Sequence, residues 1–137
     1  MKVLVVNDER ATADALAEIL HRNGHHVLPL YDAVEAMDLA EHLTFDVALI
    51  ARKLGQSFLD LGDGLQKMMP RCNIIFVLDP GIIWFAQGLL KHGLVKEFEY
   101  LPESFKTEDL LKKLGEIASQ RSLHQIETVF SDSPEQF

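Results

Sequence analysis

The chain has 137 residues, 47% of them hydrophobic, with 13 Lys and Arg against 21 Asp and Glu and a formal net charge of -8. This is apolar material for one core and length for one domain. An acidic balance with no basic cluster along one face excludes counterion-releasing contact with a phosphate backbone, so no direct nucleic-acid partner is expected. Met1 leads straight into Lys2-Val3-Leu4-Val5-Val6, without a cleavable leader, and no apolar run is long enough to cross a bilayer. The expectation is therefore a soluble cytoplasmic protein with no membrane partner.

Val3 to Val6, Val47 to Ile50 and Ile74 to Leu78 are short apolar runs rich in β-branched residues, which reads as buried parallel strands. His26 to Leu30 and Phe98 to Leu101 are more mixed and suit sheet edges, the former because Pro29 cannot donate to a central ladder. Helical spacing fills the intervals. Ala13, Leu16, Ile19 and Leu20 share one face of a first helix that ends at Asn23-Gly24. A second helix starts at Asp32 as N-cap and turns Ala33, Ala36, Met37 and Ala40 inward. The last starts near Thr107, with Glu108 and Asp109 in its first turn and Leu110, Leu111, Leu114 and Ile117 on its core face.

Strands alternating with helices imply right-handed crossovers and a parallel sheet covered on both faces. In such sheets ligands bind at the carboxyl ends of the strands. The residues found there are Asn7-Asp8-Glu9, Ala51-Arg52-Lys53, Asp79-Pro80 and Leu101-Pro102. Cys72, the lone cysteine, opens an apolar run and reads as a small buried thiol. His21, His25 and His26 are neighbours in sequence, but one ends a helix and another begins a strand, so no metal site is expected from them.

The run Gly81-Ile82-Ile83-Trp84-Phe85-Ala86-Gln87-Gly88-Leu89-Leu90 predicts a fourth helix with almost no polar face. A surface helix normally carries one, so Trp84 and Phe85 are candidates for a protein interface, and the apolar helix favours a dimer over a free monomer. Both being core residues is the alternative. After about Arg121 the character changes: Leu123, Ile126 and Phe130 keep helical spacing, whereas Ser131 to Phe137 has the composition of a tail or linker. The domain is thus read as residues 1–121, followed by a helical extension and disordered tail over 122–137.

Lys2-Val3-Leu4-Val5-Val6-Asn7-Asp8-Glu9, the Asn23-Gly24-His25 turn, Phe45-Asp46-Val47-Ala48-Leu49-Ile50 and the Leu101-Pro102 junction occur in an order and spacing that resemble the receiver domain of bacterial two-component response regulators. The resemblance covers about residues 1 to 120. It implies an α/β, flavodoxin-like (βα)5 doubly wound parallel sheet of strand order 2-1-3-4-5. It also implies a strand-three aspartate that accepts a phosphoryl group, an acidic pair holding magnesium, a strand-four hydroxyl and a strand-five lysine. This chain departs from that set. The phosphoacceptor position falls on Ala51, the hydroxyl position on Asp79, the lysine position on Leu101, and Asn7 replaces the first acid while Asp8 and Glu9 remain.

A methyl group is no nucleophile, and no cation is left to balance phosphoryl oxygens. The resemblance therefore implies a degenerate pseudo-receiver, not an enzyme and without a catalytic residue or cofactor. It would bind a protein partner or a second copy through the fourth helix, fifth strand and fifth helix, with Phe98 at the position of a switching aromatic. Asp8 and Glu9, joined by Asp79, are the candidate oxygen ligands for a magnesium ion. Two alternatives stay open: an atypical phosphoryl-accepting response regulator, and a small-ligand or flavin binder. Against the latter, Asn7-Asp8-Glu9-Arg10 occupies the turn where a Gly- or Ser/Thr-rich phosphate cradle would lie.

Overall fold

The computed structural model describes residues 1–51, 58–79, 81, 83, 84, 88 and 99–132. The chain divides into two compact units, Met1–Phe105 and Lys106–Phe137. In the first unit, β1 (Lys2–Val6), β2 (His26–Leu30), β3 (Val47–Ala51), β4 (Asn73–Leu78) and β5 (Glu99–Pro102) form one sheet of order β2-β1-β3-β4-β5. All four pairings are parallel. This is the expected doubly wound, flavodoxin-like arrangement. Pro29 sits in β2 at the sheet edge, where its missing N–H costs no ladder bond.

Alternation along the strands sorts the core into two faces. Leu4, Val6, Ala48, Ile50, Ile74, Phe76 and Leu78 pack with Ala36 and Ala40 of α2 (Ala33–Ala40) and with Leu61 and Leu65 of α3 (Phe58–Met68). Val3, Val5, Val47, Leu49 and Ile75 point the other way and are equally buried, as are Ala13 and Leu20 of α1 (Arg10–Arg22). Burial on both faces explains why β1, β3 and β4 read as unbroken apolar runs. Cys72 is buried, as its position before β4 predicted.

The punctuation is equally local. Gly24 adopts φ +88°, the left-handed region that lets the chain leave α1, and its N–H donates to the His21 carbonyl. Asp32 caps α2 by accepting from Val34 N at 2.6 Å. β5 is described from Glu99 to Pro102, and Phe98, where the sequence suggested that it starts, lies outside the described residues. The second unit holds a single helix, Thr107–Asp132, which passes Arg121 without interruption and takes in Ser131 and Asp132, two residues of the run read as tail. Leu110, Leu114 and Ile117 are buried. Among the described residues no helix is long and apolar enough to cross a membrane.

Two glycines separate crowding from conformational entropy. A Cβ on Gly62 in α3 runs into Cζ of the buried Phe76 ring, whereas one on Gly115 meets nothing within 4 Å. Gly62→Ala is expected to lower stability by about 1–3 kcal/mol through overpacking. Gly115→Ala, inside an exposed helical stretch, should raise it by about 0.5–1 kcal/mol. Urea unfolding of both variants checks the opposite signs.

A pH dependence follows from His25, whose Nδ1 lies 3.1 Å from the Met1 ammonium. Burial, and then the positive charge of that ammonium, lower the His25 pKa from its ordinary 6.5. The unfolded chain then binds more protons than the folded one between the lowered value and 6.5, so stability falls as pH drops through that window. His25→Gln should flatten the corresponding part of a urea midpoint against pH profile.

Candidate functional site

The carboxyl edge of the sheet is where a parallel α/β fold exposes side chains for chemistry. At β3, β4 and β5 the strand register lines up Ala51 with Val77 and Val77 with Leu101. Directly paired residues of parallel strands share a face, so these three form one row across the sheet. Its members are a methyl, an isopropyl and an isobutyl group. Leu101 is 7% exposed, while Ala51 and Val77 are half-buried. The positions that the resemblance gave to a nucleophilic carboxylate and a lysine are therefore joined through an apolar neighbour, with no charge in the row.

Asp79 stands two residues beyond Val77 and is exposed. Its Oδ1 accepts a hydrogen bond from Gly81 N at 2.8 Å, and its carbonyl accepts one from Ile83 N at 3.1 Å. Gly81, Ile83, Trp84 and Gly88 are helical. Asp79 is thus the N-cap of the helical segment after β4, satisfying donors that the first turn leaves free. The sequence carries this signal, an Asp just before the apolar run.

The acidic turn after β1 is also bound up in local structure. Asn7 N donates to the Leu30 carbonyl at 3.0 Å, and Asn7 Oδ1 accepts from Glu9 N at 2.9 Å. Glu9 is the N-cap residue of α1, and its carboxylate accepts from the Thr12 hydroxyl. Asp8 is exposed. Among the described residues no three His, Cys, Asp or Glu side chains come together as a metal ion requires, so Asp8, Glu9 and Asp79 do not converge on one point. Next to this turn the Arg10 guanidinium lies 3.9 Å from the centre of the Tyr31 ring, and the Tyr31 hydroxyl donates to Asp14. That bond raises the Tyr31 pKa above 10.0. Sequence reasoning missed this cluster, since three residues from β2's end and α1 meet only once the crossover is closed.

Of the interface candidates, Trp84 is 78% exposed, which removes the alternative of a core position. Ile83 beside it packs against the core. Phe85 and Phe98, like Arg52 and Lys53, lie outside the described residues. Two further groups emerge from the fold. Glu103, exposed, donates its N–H to the Leu78 carbonyl at 2.8 Å and so sits across from Asp79 at the same edge. Tyr100 of β5 stacks tilted on Phe76 with ring centres 6.0 Å apart, and burial raises its pKa above 10.0. At the opposite, amino-terminal edge a cleft of about 390 Å³ lies between Gln66, Arg71, Asn73 and Glu99.

No protein-family profile and no curated protein matches the chain. Its likeness to solved structures is extensive. The CheY-like response regulator receiver domain protein of Methanospirillum hungatei is 25% identical, with a TM-score of 0.75, over 88% of this chain and 96% of that one. A response regulator receiver domain protein of Clostridium thermocellum, 24% identical, matches with a TM-score of 0.75 over 89% and 97%. A response regulator of Burkholderia pseudomallei, with a phosphorylated aspartic acid, calcium ion and citrate, is 25% identical at a TM-score of 0.66, over 90% and 74%. The fold is that of the CheY-like receiver domains, and the likeness supports a receiver role of the two-component type.

If Asp79 acts as a helix cap, Asp79→Ala should cost about 1 kcal/mol and Asp79→Asn almost nothing, because Asn caps as well as Asp. Midpoints of urea unfolding at constant slope read the difference. Equal losses in both variants would mean that the charge, not the cap, is what matters.

Proposed function

We propose that this chain is a receiver-type signalling domain that has given up phosphoryl transfer and acts by contact with a partner protein. The observation that carries the reading is the row Ala51, Val77, Leu101. Acyl phosphate formation needs a carboxylate to attack and cations to neutralise the oxygens of the transferred group. Here an aliphatic row occupies the place where both would meet. Asp79 turns its carboxylate to Gly81 N and would repel a phosphoryl group in any case. The domain is then no enzyme, and its output rests on an exposed surface, for which Trp84 is the strongest described candidate.

The second reading is an atypical phosphoryl-accepting response regulator, and the comparisons favour it over the first. The similar structures include response regulators, and the Burkholderia pseudomallei protein carries a phosphorylated aspartic acid. Under this reading Asp8 and Glu9 would hold magnesium and another carboxylate, Asp79 being the nearest to the expected position, would be the acceptor.

The two readings part in one experiment. The purified chain is incubated with acetyl phosphate and magnesium and weighed by mass spectrometry, and its amide spectrum is followed during titration with magnesium and beryllofluoride. The expected outcome is no phosphoryl adduct, with any shifts confined to Asp8, Glu9 and Asp79. Ala51→Asp alone should remain unmodified, because Leu101 supplies no cation. An adduct on the unaltered chain, or a saturable beryllofluoride change that spreads to Trp84, would overturn the proposal in favour of the second reading.

A further inference from the structure

The helix Thr107–Asp132 has two faces of different character. Along its first half Leu110, Leu114 and Ile117 are buried, while Asp109, Lys112, Glu116 and Ser119 are exposed. In heptad letters with residue 116 at a, the exposed set takes a and d positions, and the buried set takes b and f on the far side of the helix. The helix passes Arg121 without a break, so the same lettering holds to its end. It sets Leu123 at a, Ile126 at d and Phe130 at a. The face that is polar and exposed up to Ser119 is thus apolar in sequence from Leu123 onward. A continuous helix cannot turn those positions to the side on which Leu110, Leu114 and Ile117 are buried.

We infer that the stretch from Leu123 to Phe130 is a self-association seam, on which a second copy of this chain lays the same stretch as a short, parallel, in-register helix pair. An apolar stripe held to a and d is the narrow pattern of a helix–helix seam, whereas a helix seated on a globular core carries a wider one. Of the other positions from 122 to 130, only Val129 is apolar. Pairing of like positions about a two-fold axis makes the stripe its own complement. Charge agrees with this occupant. The net charge of -8 opposes self-association in general, yet Glu127 is the only charged residue at the e and g positions from 120 to 129. In a parallel pair it meets Ser122 of the other copy, at g, and no like charge. An antiparallel pair centred on Ile126 would instead bring the two copies of Glu127 together. Upstream, Glu116 at a would oppose its own copy, which confines the seam to the second half of the helix. A seam this short falls below the roughly 1,200 Å² of a standard interface, so the pairing is reversible and concentration-dependent. The inference depends on neither reading of the phosphoryl site.

Sedimentation equilibrium of the full chain, from micromolar to millimolar concentration, reads the association directly. The expected result is a monomer–dimer equilibrium. Ile126→Gln, which keeps a good helix former at d, should weaken it roughly tenfold or more by placing an amide in each half of the seam. Thr128→Gln, at the outward f position, should leave it unchanged. Ser119→Cys, at the d position just ahead of the seam, should give a disulfide-linked dimer on mild oxidation, because parallel copies bring like d positions within disulfide reach. Cys72 is buried, so the unaltered chain should give none. A monomer at every concentration, equal weakening by the two glutamine substitutions, or a dimer that Ile126→Gln leaves intact would overturn the proposal. A dimer in which Ser119→Cys does not cross-link would overturn the parallel register. None of these outcomes bears on whether acetyl phosphate leaves an adduct, so the two claims fail separately.

Discussion

A parallel sheet buried on both faces can admit polar side chains only where its ladders stop, and that constraint organises the rest of this molecule. β1, β3 and β4 are apolar toward their carboxyl ends, and among the described residues the carboxylates of that edge of the first unit lie in the turns that follow: Asp8 and Glu9 after β1, Asp79 after β4, Glu103 after β5. Glu9, Asp79 and Glu103 are then placed by backbone hydrogen bonding. Asn7 and Glu9 close one turn, Asp79 caps the next helix, and Glu103 is tied to β4 by its own N–H. The edge keeps the geometry of a ligand site while its polar groups serve the chain itself.

The row Ala51, Val77, Leu101 shows why the departures come together. A carboxylate held at Ala51 with an apolar side chain at Leu101 would be partly desolvated and uncompensated, which costs several kcal/mol. A lysine at Leu101 facing a methyl would meet the same penalty. With both charges gone, the positions pack as ordinary sheet residues, and Leu101 is buried without a polar group to satisfy. An apolar pair is energetically coherent there, since a charge at either position alone would be the more expensive state.

Much of this fold was legible in the sequence because its signals are local. Gly24 at the end of α1, Asp32 at the start of α2 and the three apolar runs each act within a few residues of themselves, and all are found where they pointed. Strand order was different in kind: periodicity cannot order strands, and the 2-1-3-4-5 arrangement came from the resemblance alone. The site was less legible for the same reason. Register, not spacing, brings Ala51, Val77 and Leu101 into a row, and the meeting of Arg10, Tyr31 and Asp14 depends on how β2 lies beside β1. Asp79 is legible as a cap from sequence, because an Asp ahead of an apolar helical run is a local N-terminal signal.

A domain of this kind, if it receives no phosphoryl group, has to be controlled by mass action. A ligand shifts an equilibrium only by the difference between its affinities for the two states, and a partner that binds both equally shifts nothing. The usual covalent bias is a modification that persists after its donor has left. Non-covalent docking has no such memory, so occupancy would follow the concentration of the partner. Electrostatic complementarity acts chiefly on the rate of encounter and on the rejection of wrong partners. A domain controlled in this way would have to find its partner quickly and release it readily, which favours an encounter steered by charge over a large apolar interface.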